Sequence, residues 1–430
     1  MSDDKITQKN ELPNTLLETA YYKNNLYYIE TEEKEEYMKG KKKVVSTVIG
    51  TVVAVAAIAI VSLATIQMLG KNNILANTNN NSVETKPKAL DTSSWDLRKV
   101  SVYTDPVSGK KAPIPVGYVA SQVTGENGID TGLVIYEGTV PVTGTQVGVP
   151  GTEAWDASCN RNQWVWVPVS DVSRIYDTNT RKSKLYSITQ TGRSTYNNSN
   201  YEPGTLVGSQ YADTERYFSQ YNLPEMTRKK LLYEIETELA ETIKSIEKYG
   251  GFYIGRYENG ETKTVKPVVK RMSSNPYASW YDTYVNLRTL VPNENLKANI
   301  IWGCLWDETL QWFRESGAKT DEDIYNSATW GNHKDSEGFT YYTNVAGSTG
   351  SKTQGKSASI PTGSTERNKA NNIYDMAGNQ WEWTLEGDGI IGRRKRGGVC
   401  TGNASGYSVG YRNGYGPYYT DASRAYFYIK

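Results

Sequence analysis

The chain has 430 residues, enough for one large domain or two ordinary ones, and its 48 basic and 47 acidic side chains leave a formal net charge of +1. So even a balance creates no whole-protein field, and no nucleic acid is expected among the partners. The only histidine, His333, excludes a three-histidine iron site and argues against a Ser-His-Asp triad or a multi-histidine zinc site.

Three cysteines, Cys159, Cys304 and Cys400, are too few for a disulfide scaffold and lack C-x-x-C spacing; one disulfide with one free thiol stays open, the pair unassigned. Tyrosine is frequent, with 33 residues against 5 phenylalanines. Aromatics with a polar tip suit half-wet binding faces, and equally the exposed strands of a β-rich extracellular domain.

Residues 1–43 are polar and charged and read as a cytoplasmic tail. Val44 to Leu69 is a run of 26 residues without a charge, rich in Val, Ile and Ala, which predicts a single transmembrane helix. Lys39, Lys41, Lys42 and Lys43 crowd its N-terminal edge and only Lys71 follows, so the N-terminus is expected in the cytoplasm and the rest outside. A cleaved signal peptide would need an n-region of 43 residues containing Glu32, Glu33, Glu35 and Glu36, which favours a retained anchor. Residues 70–94, rich in Asn, Ser and Thr, read as a flexible stalk.

Residues 95–161 show short Val/Ile/Tyr runs broken by Gly and Pro, a β-rich extension. A weakly periodic stretch at 173–222 reads as an insertion or loops. Leu231, Leu232, Ile235, Leu239, Ile243 and Ile246 make a helical stripe within Pro224–Tyr249, which Gly250 is placed to end. Trp306, Leu310 and Phe313 predict a second helix, and Ser279–Leu290 a shorter third. Few helices among many short strands give an α+β class.

The run Asn372-Ile-Tyr-Asp-Met-Ala-Gly-Asn-Gln-Trp-Glu-Trp-Thr384 is the densest in chemistry. Asp375 and Glu382 converge if the chain folds back at Gly378-Asn379, residues that tolerate positive φ. Two carboxylates and exposed turn carbonyls then offer oxygens to a hard cation; the alternative is that both carboxylates hydrogen-bond backbone amides with no ion. On a strand, Trp381 and Trp383 face one side and Glu382 the other.

This run, with Arg396-Gly-Gly398 after it, resembles the signature of the formylglycine-generating, sulfatase-modifying enzyme family. Weaker similarities are Val165-Trp-Val-Pro-Val169, Gly251-Phe-Tyr-Ile-Gly-Arg-Tyr-Glu258, Trp306-Asp-Glu-Thr-Leu310 and Ala422-Ser-Arg424. The resemblance spans residues 162–430 and implies a C-type-lectin-like fold. It implies a calcium site at Asp375, Gly378, Gln380 and Glu382, with Asp375 standing where the family usually has Asn. It also calls for two copper-binding cysteines five apart just after Arg-Gly-Gly. Here Cys400 stands alone, too near Arg396, and position 405 is Ser, so copper is not expected and Cys400 is at most a weak catalytic candidate.

The tail from 401 to 430 holds seven tyrosines. Tyr407, Tyr411, Arg412, Asn413, Tyr415, Tyr418 and Tyr419, interleaved with Gly and Ser, are the expected ligand face, since rigid aromatics beside adaptable polar groups make adhesive surfaces. Tyr426 and Tyr428 alternate like residues that pack a final strand. The basic run Arg393–Arg396 reads either as a site for phosphate, sulfated glycan or anionic polymer, or as a solvated hairpin edge, with Arg396 itself expected to pair with a carboxylate. The expectation is a surface-displayed binding protein for an extracellular protein or glycan. The alternatives are a formylglycine-generating-type oxidase with altered chemistry and a structural subunit of an envelope or secretion assembly.

Overall fold

Strand Gln163–Pro168 (QWVWVP) carries aromatic and β-branched residues on both faces, the composition of a strand covered from two sides, and it is buried almost throughout. It sits inside a six-stranded antiparallel sheet in the order 296–300, 425–429, 251–255, 163–168, 134–137 and 118–120. The structure is a computed structural model and describes residues 90–144, 148–185, 200–201, 206, 211–260, 278–291, 293–388 and 392–430. The predicted tail 1–43, span 44–69 and stalk up to residue 89 lie outside the described residues. Among the described residues no helix is long and apolar enough to cross a membrane.

Helix Arg228–Tyr249 covers one face of this sheet. Its start is set by Thr227, whose hydroxyl accepts from the Lys230 amide at 3.2 Å, four residues after the predicted start at Pro224. Gly250 closes it with a left-handed φ of 80°. Leu231, Ile235, Leu239 and Ile246 form the buried stripe. Glu238, buried on the same face, accepts from the hydroxyl of Tyr426 at 3.0 Å, and Tyr428 donates to Glu241 at 2.6 Å. These two tyrosines therefore pack the final strand, as their alternation predicts.

The second sheet runs 278–279, 420–423, 382–388, 393–396 and 413–415, with 200–201 pairing the far end of 382–388. Strand Glu382–Asp388 lies parallel to Thr420–Ser423 and antiparallel to Arg393–Arg396. One residue, Arg424, separates Thr420–Ser423 of this sheet from Ala425–Ile429 of the other. The chain thus changes sheets at a buried arginine.

Helices Gly303–Glu315 and Trp280–Leu287 match the second and third predicted helices. Trp306, Leu310 and Phe313 are buried, and Ser279 with Asp282 forms a reciprocal capping box. Helices Glu153–Asn160, Thr214–Ser219 and Asp321–Tyr325 are not among the predicted ones, since runs this short carry at most a weak helical stripe. The domain is mixed α+β.

Two predicted boundaries shift. Strands 118–120 and 134–137 belong to the same sheet as 163–168, so the sheet crosses the expected division at residue 161. Folded structure also begins before residue 95: Leu90 lies against Gly250, and Trp95 is buried with its indole donating to the Lys248 carbonyl at 3.0 Å.

Candidate functional site: a buried carboxylate centre and a tyrosine turn

The turn that brings Asp375 toward Glu382 is built from residues suited to left-handed backbone. Asp375, Gly378 and Asn379 have φ of 57°, 72° and 58°. Gly378 is required for a second reason, because a Cβ there would stand 2.3 Å from the Asn332 carbonyl oxygen. Asp375 is buried, and its Oδ2 accepts from the Gly363 amide at 2.6 Å and Thr362 Oγ1 at 3.2 Å, while Oδ1 accepts from Asn368 Nδ2 at 3.0 Å. Both oxygens of Glu382 accept from Arg424, at 2.6 and 2.9 Å. Arg424 also donates to the carbonyls of Gly255 at 3.0 Å and Tyr374 at 2.8 Å, which ties the two sheets and the motif together.

A third acid, Glu258, joins them. Its Oε2 accepts from Asn379 Nδ2 at 2.9 Å, and its Oε1 is buried with no hydrogen-bond partner among the described residues. Burial raises the Asp375 and Glu382 carboxyls, and Arg424 opposes that rise. Glu258 is raised well above its ordinary range by burial and then by the negative charges of Asp375 and Glu382. The calcium set implied by the resemblance was Asp375, Gly378, Gln380 and Glu382. All four oxygens of Asp375 and Glu382 already accept from protein donors, whereas the ligands expected from Gly378 and Gln380 are their backbone carbonyls. A divalent cation on Glu382 would share it with a guanidinium of like charge, so the arrangement fits an ion pair better than an oxygen cage. Among the described residues no three His, Cys, Asp or Glu side chains converge as metal ligands.

The basic run is neither a solvated edge nor an anion site. Strand Arg393–Arg396 lies between 382–388 and 413–415, and all four side chains are buried. Arg393 sits over Trp280 at 4.3 Å and donates to the Leu385 carbonyl at 2.9 Å. Arg396 pairs with Asp307 at 2.7 Å, the carboxylate partner the sequence leads one to expect. Lys395 pairs with Asp421 at 2.8 Å, and its ammonium is ringed by Tyr415 at 3.8 Å, Trp383 at 5.5 Å and Trp381 at 5.8 Å. Both indoles thus flank one side chain, as the alternation of Trp381 and Trp383 about Glu382 predicts. Burial lowers Lys395 and raises Asp421, while each opposes the shift of the other.

The expected ligand face divides in two. Arg412 is a correction: it is buried and bonds Asp307 and Glu386, so it closes a two-arginine, two-carboxylate network with Arg396. Tyr411 is buried too, in contact with Trp381 and Tyr407 at centroid distances of 5.7 and 5.3 Å. Tyr407 and Asn413 are half-buried. Tyr415, Tyr418 and Tyr419 are exposed, at 41, 41 and 57 %, and the rings of Tyr415 and Tyr419 meet at 90° with 5.1 Å between centroids.

Cys400 is a free thiol, 5 % exposed, with its amide donating to the Asn379 carbonyl at 3.0 Å. Burial raises its thiol, which disfavours the nucleophilic thiolate. His333 is fully buried against Ser327 Oγ at 2.8 Å and is held down to about 4 by burial. Sequence reasoning missed Glu258, Lys395 and Asp421 as members of these sites. Glu258 lies three residues past the fully buried strand Gly251–Gly255, and an acid so close to an apolar run was the available signal. No protein-family profile, curated protein or solved structure matches this chain.

Proposed function

We propose that this chain is a membrane-anchored, surface-displayed binding protein that meets an extracellular protein or glycan through the turn carrying Tyr415, Tyr418 and Tyr419. The observation that carries this reading is the contrast in exposure. The acids, arginines and thiol of the motif region are buried, and Asp375, Glu382, Lys395 and Arg396 each have partners within the protein, whereas the tyrosine turn offers open aromatic surface.

In this reading the outer domain has a C-type-lectin-like architecture of the formylglycine-generating-enzyme type. In support, the segments that resemble that family occupy adjoining elements: 163–168 and 251–255 pair directly, and Arg424 of the closing Ala-Ser-Arg clasps Glu382 of the Trp-Glu-Trp motif. Residues 44–69 supply the anchor, and the lysines before them set the N-terminus in the cytoplasm.

The test uses the full chain on intact cells, with a C-terminal epitope tag. The tag is expected to be accessible to antibody without permeabilisation, and ligand capture is expected to fall in the Tyr415→Ala/Tyr419→Ala double variant. A tag that stays protected, or conversion of a cysteine to an aldehyde in a sulfatase peptide by the purified chain, defeats the reading.

A further inference from the structure

The four consecutive basic residues at 393–396 would, on the surface, make this face a trap for anions. The structure instead places every one of them inside, and the member nearest the tyrosine turn is doubly covered. Lys395 lies under the ring of Tyr415 and is paired with Asp421, so among the described residues the turn presents aromatic faces and phenol hydroxyls over a neutralised ammonium.

The size of the face narrows the ligand further. Side chains of this class bury about 150–250 Å² each, so the exposed fractions of Tyr415, Tyr418 and Tyr419 amount to roughly 200–350 Å². A stable protein interface takes about 800 Å² from each partner. The patch is too small to be the centre of one alone and matches a ligand of one or two rings. Its walls also differ in direction, because Tyr415 and Tyr419 stand perpendicular. Such a corner accepts a flat, ring-shaped body that lays C–H bonds on one aromatic face and its edge on the other. Hydroxyls around that ring find partners in the half-buried Asn413, the exposed Thr420 and the phenols themselves.

From the uncharged face, its area and its two perpendicular walls, we infer that the tyrosine turn binds a neutral carbohydrate, one or two sugar rings at a time, without calcium. The inference rests on the reading of this turn as the ligand face. It ranks sulfated and phosphorylated glycans below neutral ones, since among the described residues the cation in contact with Tyr415, Lys395, is buried and already paired with Asp421. It also separates recognition from the Asp375–Glu382 centre, whose oxygens are taken up within the protein.

The test is an array of soluble oligosaccharides probed with the full-length chain: neutral glucose, galactose and N-acetylglucosamine oligomers beside their sulfated counterparts. Neutral members are expected to bind, unchanged by a calcium chelator and by salt raised tenfold, because no ion pair contributes. Tyr419→Ala and Tyr415→Ala are each expected to lower that binding about tenfold or more, and Tyr415→Phe to restore most of it, since the ring carries the contact. Unfolding curves of the variants confirm that the fold is kept. Preference for sulfated members, loss of binding with chelator, or neutral binding indifferent to both alanine variants overturns the inference. If no carbohydrate binds but a protein ligand is lost on Tyr419→Ala, the carbohydrate assignment fails and the ligand-face reading survives. If no ligand of any class responds to these substitutions, both fail.

Discussion

Residues 372–398 and the tyrosine turn that follows the buried Arg412 are neighbours in sequence and in space, yet they hold their polar groups in opposite ways. In the first, Asp375, Glu382, Lys395 and Arg396 are all buried, and each is answered by a partner from another element: Gly363 and Asn368, Arg424, Asp421, Asp307. Leading into the second, the aromatic side chains pass from buried at Tyr411 to largely open at Tyr419 within eight positions. A buried charge has to be matched by the fold, because leaving it unmatched costs several kcal/mol. An exposed tyrosine keeps part of its ring and hydroxyl open to a ligand even where the rest is packed. Concentrated chemistry in a sequence is therefore as much a sign of architecture as of function.

The sharpest way to break this comparison is to remove the arginine at which the chain changes sheets. Arg424→Met keeps much of the apolar stem but leaves Glu382 buried without its guanidinium, and it strips donors from the Gly255 and Tyr374 carbonyls. The expected loss is about 3–5 kcal/mol, the range for breaking one partner out of a buried pair. Denaturant unfolding followed by tryptophan fluorescence measures it. A loss below about 1 kcal/mol, the scale of an exposed pair, would mean that the centre is not the structural clasp described here.

A second prediction uses pH. His333 titrates at about 4 in the folded protein because burial disfavours its charged form, against about 6.5 when unfolded. Its folded pKa is depressed, so as a base it contributes stability that is whole above pH 6.5 and declines as pH falls toward 4. The full difference is about 3 kcal/mol at 1.4 kcal/mol per unit. Glu382 and Glu258, whose carboxyls are raised, act with the opposite sign and favour the fold as pH falls. A His333→Gln comparison separates the two effects. The wild type is expected to lose more stability than the variant between pH 7 and pH 4.5, and parallel curves would contradict the burial argument.

How far these regions were legible in the sequence follows from the same physics. The long amphipathic helix and the turn at Gly378-Asn379 were readable because local pattern and tertiary role coincide there, whereas segments 163–168 and 251–255 were singled out only by the resemblance. The basic run was misread because four like charges in a row look solvated until their partners, 89 positions away in the case of Asp307, are known. Arg412 failed for the same reason: its carboxylates Asp307 and Glu386 come from a distant helix and a separate strand. That Asp375 and Glu382 come together was legible from the turn residues between them. What sequence did not supply was Arg424 inserted against one of them, since an arginine at the end of a Ser-Arg pair carries no local sign of burial. The tyrosine tail was legible as a surface only in part, because Tyr411 and Tyr415 differ by one turn and not by composition.

The smallest effect on stability is expected where the largest effect on binding is. Tyr419 is 57 % exposed and touches Tyr415 edge to face, but no charged group depends on it for cover. Truncation to alanine forfeits one aromatic pair and little burial, so unfolding free energy should move by about 0.5 kcal/mol or less, the usual range for surface positions. Tyr415 is the instructive control, because its ring lies on the Lys395 ammonium at 3.8 Å. Tyr415→Ala uncovers the buried Lys395–Asp421 pair to water, and a cost of about 1–2 kcal/mol is expected from the lost cation–π contact. The two variants thus share a ligand phenotype while differing in stability, and that divergence is what a face resting on a satisfied interior requires. Equal destabilisation by both would mean that the turn is itself part of the core, and the contrast between the two regions would disappear.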